Sequence, residues 1–182
     1  MPSDQDNAKK AHEQYLAEYF IEARSEAIGS ALRILHGDEN PDFICSDDEG
    51  AKIGLEVAQV TRGPIDAFWA RILDGEIELD PFDAGAMIHS LIERKEVARR
   101  ERYSKKVDRC ILMLALVNSP LNRLFVAIEG LQDDFSSHGF EEVWLVDYSD
   151  LDAYRNAELF GLYPAANWGH HERPNAHTKP YG

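Results

Sequence analysis

Two acidic residues, Asp42 and Glu56, are candidates for chemistry, and a hairpin gains nothing structurally from Glu56. Residues 41–60 read as two short apolar runs joined by a polar turn, with Asp42 at the head of the first run and Glu56 inside the second, between Leu55 and Val57. Burying a carboxylate is costly unless a cation or hydrogen-bond donors compensate it. On a strand, residues two apart share a face. Lys52, Gly54, Glu56, Ala58 and Val60 therefore line one side, and small Gly54 and Ala58 leave room around the Glu56 carboxylate. A hairpin brings Asp42 on the partner strand toward Glu56. Two like charges that close raise each other's pKa unless a cation holds them, and an all-oxygen donor set suits Mg²⁺ or Mn²⁺.

A third charged group points the same way. Met87, Ile88, Leu91 and Ile92 form the apolar stripe of a long helix, and Lys95 falls on that line three to four residues later. Its ammonium is directed toward the sheet, or its stem lies along the core edge with the charge in water. Arg99 and Tyr103 continue the same side.

The elements that position these residues follow from periodicity. Residues 1–7 read as a frayed arm. Ala8 to His36 shows helical spacing, with Gly37 as the stop signal, and Glu22 and Glu26 lie one turn apart beside the stripe, able to face a sheet packed below. Asp42–Ser46 and Lys52–Val60 read as a strand pair around an Asp47-Asp48-Glu49-Gly50 turn, which lacks the ligand alternation of a calcium loop. Pro64 opens a short helix through Ile72, an acidic loop follows from Asp74, and a long helix runs from about Asp83 to Ser104. Val107–Val117 is apolar on both faces, as a central covered strand is. Ser119-Pro120 starts another helix, Val143–Val146 is a strand, and Ala157–Tyr163 is a short last one. The residues after Pro164 read as a poorly packed tail. The order describes one α/β domain over residues 8–163, a mixed central sheet flanked by helices on both faces.

Composition narrows the function classes. The net charge of −14 over 182 residues argues against coating nucleic acid by overall electrostatics. Between Leu91 and Arg109, however, eight basic residues stand against four acidic ones, a local +4 that leaves −18 elsewhere. That helix is either a phosphate-binding face or a solvated surface laced with pairs such as Glu96–Arg100. No apolar run approaches a membrane span, and the polar start lacks the pattern of a signal peptide. Cys45 and Cys110 lie in apolar runs and read as reduced thiols of a cytoplasmic protein. His170, His171 and His177 cluster without cysteine neighbours, so tail composition explains them better than zinc.

Pro41-Asp42, the hairpin and Glu56-Val57-Ala58, between a preceding helix and a following helix and buried strand, resemble the PD-(D/E)xK nuclease superfamily over residues 13–147. The resemblance implies a restriction-endonuclease-like fold in which Asp42 and Glu56 bind Mg²⁺ or Mn²⁺. The Val57 carbonyl joins them, as does a first-helix glutamate, here Glu22 or Glu26. The family's lysine belongs two residues after the glutamate, where this chain has Ala58. Some members supply it from the neighbouring helix. Lys95 is the best-placed substitute here, Lys52 is second, and Gln59 lies on the opposite face. The implied activity is metal-dependent phosphodiester hydrolysis of nucleic acid, DNA by preference, in defence, repair or mobile-element systems. Lys95 would stabilise developing charge, and Arg99, Arg100 and Arg102 would hold flanking phosphates on one basic face. The competing reading is a catalytically inactive module on the same fold that docks a protein partner through the charged helix. Homodimerisation is compatible with either.

Overall fold

The computed structural model describes residues 4–60, 71, 75, 76, 81–103, 106–116, 128, 138–148 and 157–171, the backbone alone at 4 and 81–84. The chain is α/β. Helix α1 (Asp4–Ile28) leads into strands β1 (Leu32–Gly37), β2 (Phe43–Asp47) and β3 (Lys52–Gln59); then come helix α2 (Pro81–Arg102) and strands β4 (Arg109–Leu116), β5 (Glu142–Asp147), β6 (Glu158–Tyr163) and β7 (Gly169–His171). The seven strands form one mixed sheet in sequence order. The three central strands β3, β4 and β5 run parallel, and the outer pairings are antiparallel.

The sheet has two buried faces because the central strands are apolar at both alternating sets of positions. Ile53, Leu55, Val57, Ile111, Met113, Ala115, Trp144 and Val146 pack with Leu16, Ala17, Phe20 and Ala23 of α1. Ala58, Leu112, Leu114, Leu116, Val143 and Leu145 pack with Ile88, Leu91 and Ile92 of α2 on the other side. One buried ion pair ties α1 to β5. Arg24 Nε and Nη2 donate to Glu142 Oε2 and Oε1 at 2.7 and 2.5 Å, and Trp144 Nε1 donates to Glu142 Oε2 at 2.7 Å.

Three expectations are revised. The helix expected from Ala8 to His36 stops at Ile28, because Gly29 adopts φ 70° and its N–H closes on Ser25 O at 2.9 Å. A left-handed residue at that position ends a helix and suits glycine. Residues 32–37 then form β1 on β2, in register from Leu32↔Asp47 to Gly37↔Phe43, so Gly37 ends a strand rather than a helix. At the other end, residues 4–7 of the expected arm are helical. The segment after Pro164 is also folded as far as His171: Ala165–Asn167 makes a 3₁₀ turn, Trp168 packs edge-on to Phe160 at 5.2 Å, and β7 pairs with β6. The Asp47–Gly50 turn is as expected, with Asp47 Oδ1 accepting the N–H groups of Glu49 and Ala51. The helices expected from Pro64 and from Ser119, most of the acidic loop from Asp74 and the last eleven residues lie outside the described residues.

A candidate acidic site at the β2–β3 hairpin

Strand register brings the two acids together. Phe43 pairs with Leu55 in the antiparallel β2–β3 ladder, so the residue before Phe43 falls alongside the residue after Leu55. Asp42 thus meets Glu56, and its Oδ2 accepts the Val57 N–H at 2.8 Å. The loop before it is fastened to the end of α2: Lys106 Nζ donates to Asp38 Oδ1 at 2.6 Å, and Arg102 Nη1 lies 3.5 Å from Asn40 Oδ1. Pro41 sits over Gly54, where a Cβ would come within 2.7 Å of the proline Cγ. That close approach explains a glycine in a buried strand.

Glu56 is 3% exposed, in the middle of β3 on the face that α2 covers. Lys95 Nζ donates to Glu56 Oε1 at 2.5 Å, with the lysine side chain 25% exposed. Its stem therefore does not simply lie along the core edge. Glu56 Oε2 is enclosed and has no hydrogen-bond partner. The Asp42 carboxyl is pushed up to about 7, first by burial and then by the Glu56 charge, with Glu13 adding to the rise and the Val57 N–H and Lys95 opposing it. Tyr103, also buried, has its phenol raised by burial and by the Glu56 carboxylate beside it. These directions describe two acids sharing one ammonium.

The other expected site residues divide. Val57 is adjacent, with its side chain in the α1-side core. Glu22 and Glu26 are on the exposed side of α1. The α1 acid whose charge reaches Asp42 is Glu13, and with a rise of ~1.5 Å per residue it lies roughly 13 Å along the helix from Glu22. Sequence reading missed Glu13, which lies one turn before Leu16 and Ala17 on the face that α1 turns toward the sheet. It noted Tyr103 only as a continuation of that side of α2. Lys52 is exposed at the start of β3, leaving Lys95 as the amine at Glu56. Ala58 packs in the cluster with Ile88, Leu91 and Ile92, so its small side chain lets α2 approach β3.

The arginines do not form a uniform phosphate-binding row. Arg99 donates to both oxygens of Glu96, at 2.5 and 2.9 Å, and lies over the Phe140 ring at 5.9 Å, so its donors serve the fold. Arg100 extends outward, 3.4 Å from Glu96, and Arg102 is exposed beside Asn40. The thiols offer no alternative nucleophile. Burial pushes Cys45 up to about 12 and raises Cys110 as well.

Whether these residues suit a divalent cation is decided by their unsatisfied atoms. Among the described residues, no group of three or more His, Cys, Asp or Glu side chains is arranged to hold a metal ion. The two carboxylates nevertheless fit one: an enclosed Glu56 oxygen lacks a partner, and Asp42 is held toward its neutral form by burial and by the Glu56 charge, both of which a cation would offset. Compared with known proteins, the chain matches no family model, no curated protein and no solved structure. No helix among the described residues is long and apolar enough to cross a membrane.

Proposed function

We propose that this protein is a metal-dependent nuclease of restriction-endonuclease-like architecture, acting on phosphodiester bonds of nucleic acid in the cytoplasm. The reading rests on one observation: Asp42, Glu56 and Lys95 converge from the residue before β2, from β3 and from α2, with one enclosed Glu56 oxygen unpaired. Asp42 and Glu56 would hold Mg²⁺ or Mn²⁺, with the Val57 carbonyl as the adjacent backbone oxygen. When bound, such an ion polarises a phosphate oxygen and acidifies bound water. The chain's own residues supply the rest. Val57 N–H orients Asp42, Lys95 pairs with the buried Glu56 and offers positive charge where negative charge would develop on the reacting phosphate, and Arg100 and Arg102 give sequence-independent affinity for flanking phosphates.

The expected result is that Asp42→Ala and Glu56→Ala each abolish Mn²⁺-dependent cleavage of plasmid and single-stranded DNA while circular dichroism stays native. Full activity in either variant would rule out the site. A non-catalytic interaction module is the second reading. It is favoured by the Lys95–Glu56 pair, which balances the buried charge with no ion at all. Calorimetry separates the two: Mn²⁺ binding that vanishes in Glu56→Gln supports the nuclease, and no binding to the native protein supports the module.

A further inference from the structure

Helix α2 presents a second, separate group of side chains with an unexplained atom. His89 and Glu93 stand one turn apart, and His89 Nδ1 lies 3.6 Å from Glu93 Oε1. The His138 ring, on the residues leading into β5, meets the His89 ring edge-on, with centroids 4.8 Å apart and planes at 83°. His138 Nε2 is enclosed without a hydrogen-bond partner; among the described residues only Glu56 Oε2 shares that state. Leaving such an atom unpaired costs on the order of 1–3 kcal/mol, so ring packing alone does not account for it.

We infer that His89 and His138 are the two imidazole ligands of a site for one divalent transition-metal ion, with Glu93 orienting His89. At 3.6 Å the His89–Glu93 contact is longer than a hydrogen bond; with an ion bound, closure of the Glu93 carboxylate onto the Nδ1–H would fix the tautomer and leave Nε2 as the lone-pair donor. With ion–nitrogen bonds of about 2.1 Å and ring centres about 1.2 Å further back, two imidazoles at ~90–110° have centroids roughly 4.7–5.4 Å apart. The observed 4.8 Å lies in that range. Imidazole selects Cu²⁺, Ni²⁺ and Zn²⁺ over Mg²⁺ and Mn²⁺, so this site and the carboxylate pair take different ions. Because no third ligating side chain converges among the described residues, water completes the coordination sphere. The His89 side chain is 35% exposed, which gives the ion a way in. The site would clip α2 to the start of β5 from outside the core.

The test adds one equivalent of Cu²⁺ to the full chain and records its electron paramagnetic resonance spectrum. Superhyperfine splitting from two nitrogens is expected, lost in His89→Ala and in His138→Ala. Glu93→Gln, an exposed change that leaves both rings in place, should weaken Cu²⁺ roughly ten-fold and keep the nitrogen count. A two-nitrogen signal unchanged in both histidine variants would place copper elsewhere, at His170 and His171 for example, and overturn the inference, as would absence of stoichiometric binding. If His138→Ala fails to fold, as judged by its melt in chelator, His89→Ala on the helix surface decides. Mn²⁺ affinity should be the same in both histidine variants, which keeps this result independent of the carboxylate site.

Discussion

Lys95→Met removes the ammonium and keeps most of the stem, so it isolates the charge that Glu56 carries inside the sheet. In the native protein Lys95 Nζ donates to Glu56 Oε1 at 2.5 Å, and Lys95 is the cation paired with this carboxylate, with the Tyr103 phenol beside it. Truncating one side of a buried ion pair costs about 3–5 kcal/mol, because the other charge stays behind unpaired. Lys95 is 25% exposed, and water already screens part of its attraction, which brings the expected loss to about 2–3 kcal/mol. At roughly 2–4 °C per kcal/mol for a chain of this size, the melting temperature should fall by about 5–10 °C. The assay is urea and thermal unfolding in chelator, for the native protein, Lys95→Met, Glu56→Gln and the double variant. Glu56→Gln should recover at least ~1 kcal/mol when placed on Lys95→Met, since neighbours in one pair do not act additively. Mn²⁺ should stabilise Lys95→Met as well, by about 2.7 kcal/mol at a hundred-fold excess over its Kd. Lys95→Met unfolding within about 0.5 kcal/mol of the native protein, the range of an ordinary surface change, would refute the reasoning. So would a double variant no more stable than Lys95→Met.

Asp42→Asn should stabilise the metal-free protein at pH 8 and leave it nearly unchanged below about pH 4. The folded carboxyl titrates at about 7 against 3.8 in the ordinary state, so the native state binds the extra proton and its stabilising effect is full below about pH 4 and lost as pH rises through about 7. Asparagine keeps an acceptor for the Val57 N–H without the charge; a difference in melting temperature that is constant across pH would contradict this. Gly54→Ala should cost about 1–3 kcal/mol, because its Cβ meets Pro41 Cγ at 2.7 Å, Val107 Cγ2 at 3.0 Å and Cys110 Sγ at 3.3 Å. It should also weaken Mn²⁺ binding by displacing the loop that carries Asp42, and unchanged stability in urea would show that the loop gives way freely.

The basic helix illustrates how a charge count differs from a surface. Its local excess of positive charge is real, yet Arg99 is committed to Glu96 and Phe140, Lys106 to Asp38, and Arg109 to Asp47 and Glu141. Much of that charge fastens α2 and β4 to the hairpin that presents Asp42. Mutating these residues would therefore alter stability before it altered any affinity for phosphate.

Local pattern alone was sufficient for β3, β4, β5 and β6, for the Asp47–Gly50 turn and for α2, because side-chain periodicity and turn chemistry belong to a few consecutive residues. It was also sufficient to single out Asp42, Glu56 and Lys95: a carboxylate inside an apolar run and an ammonium on an apolar stripe are anomalies visible without coordinates. Tertiary structure decided what depends on partners distant in the chain. Residues 32–37 have spacing compatible with a helix, and only the free edge of β2 makes them a strand. The choice of Glu13 over Glu22 and Glu26 depends on how far along α1 the sheet lies, a distance of helix rise that periodicity does not contain. The same holds for the His89–His138 contact, since 49 positions separate the two rings in the chain and only the packing of α2 beside β5 brings them to one place.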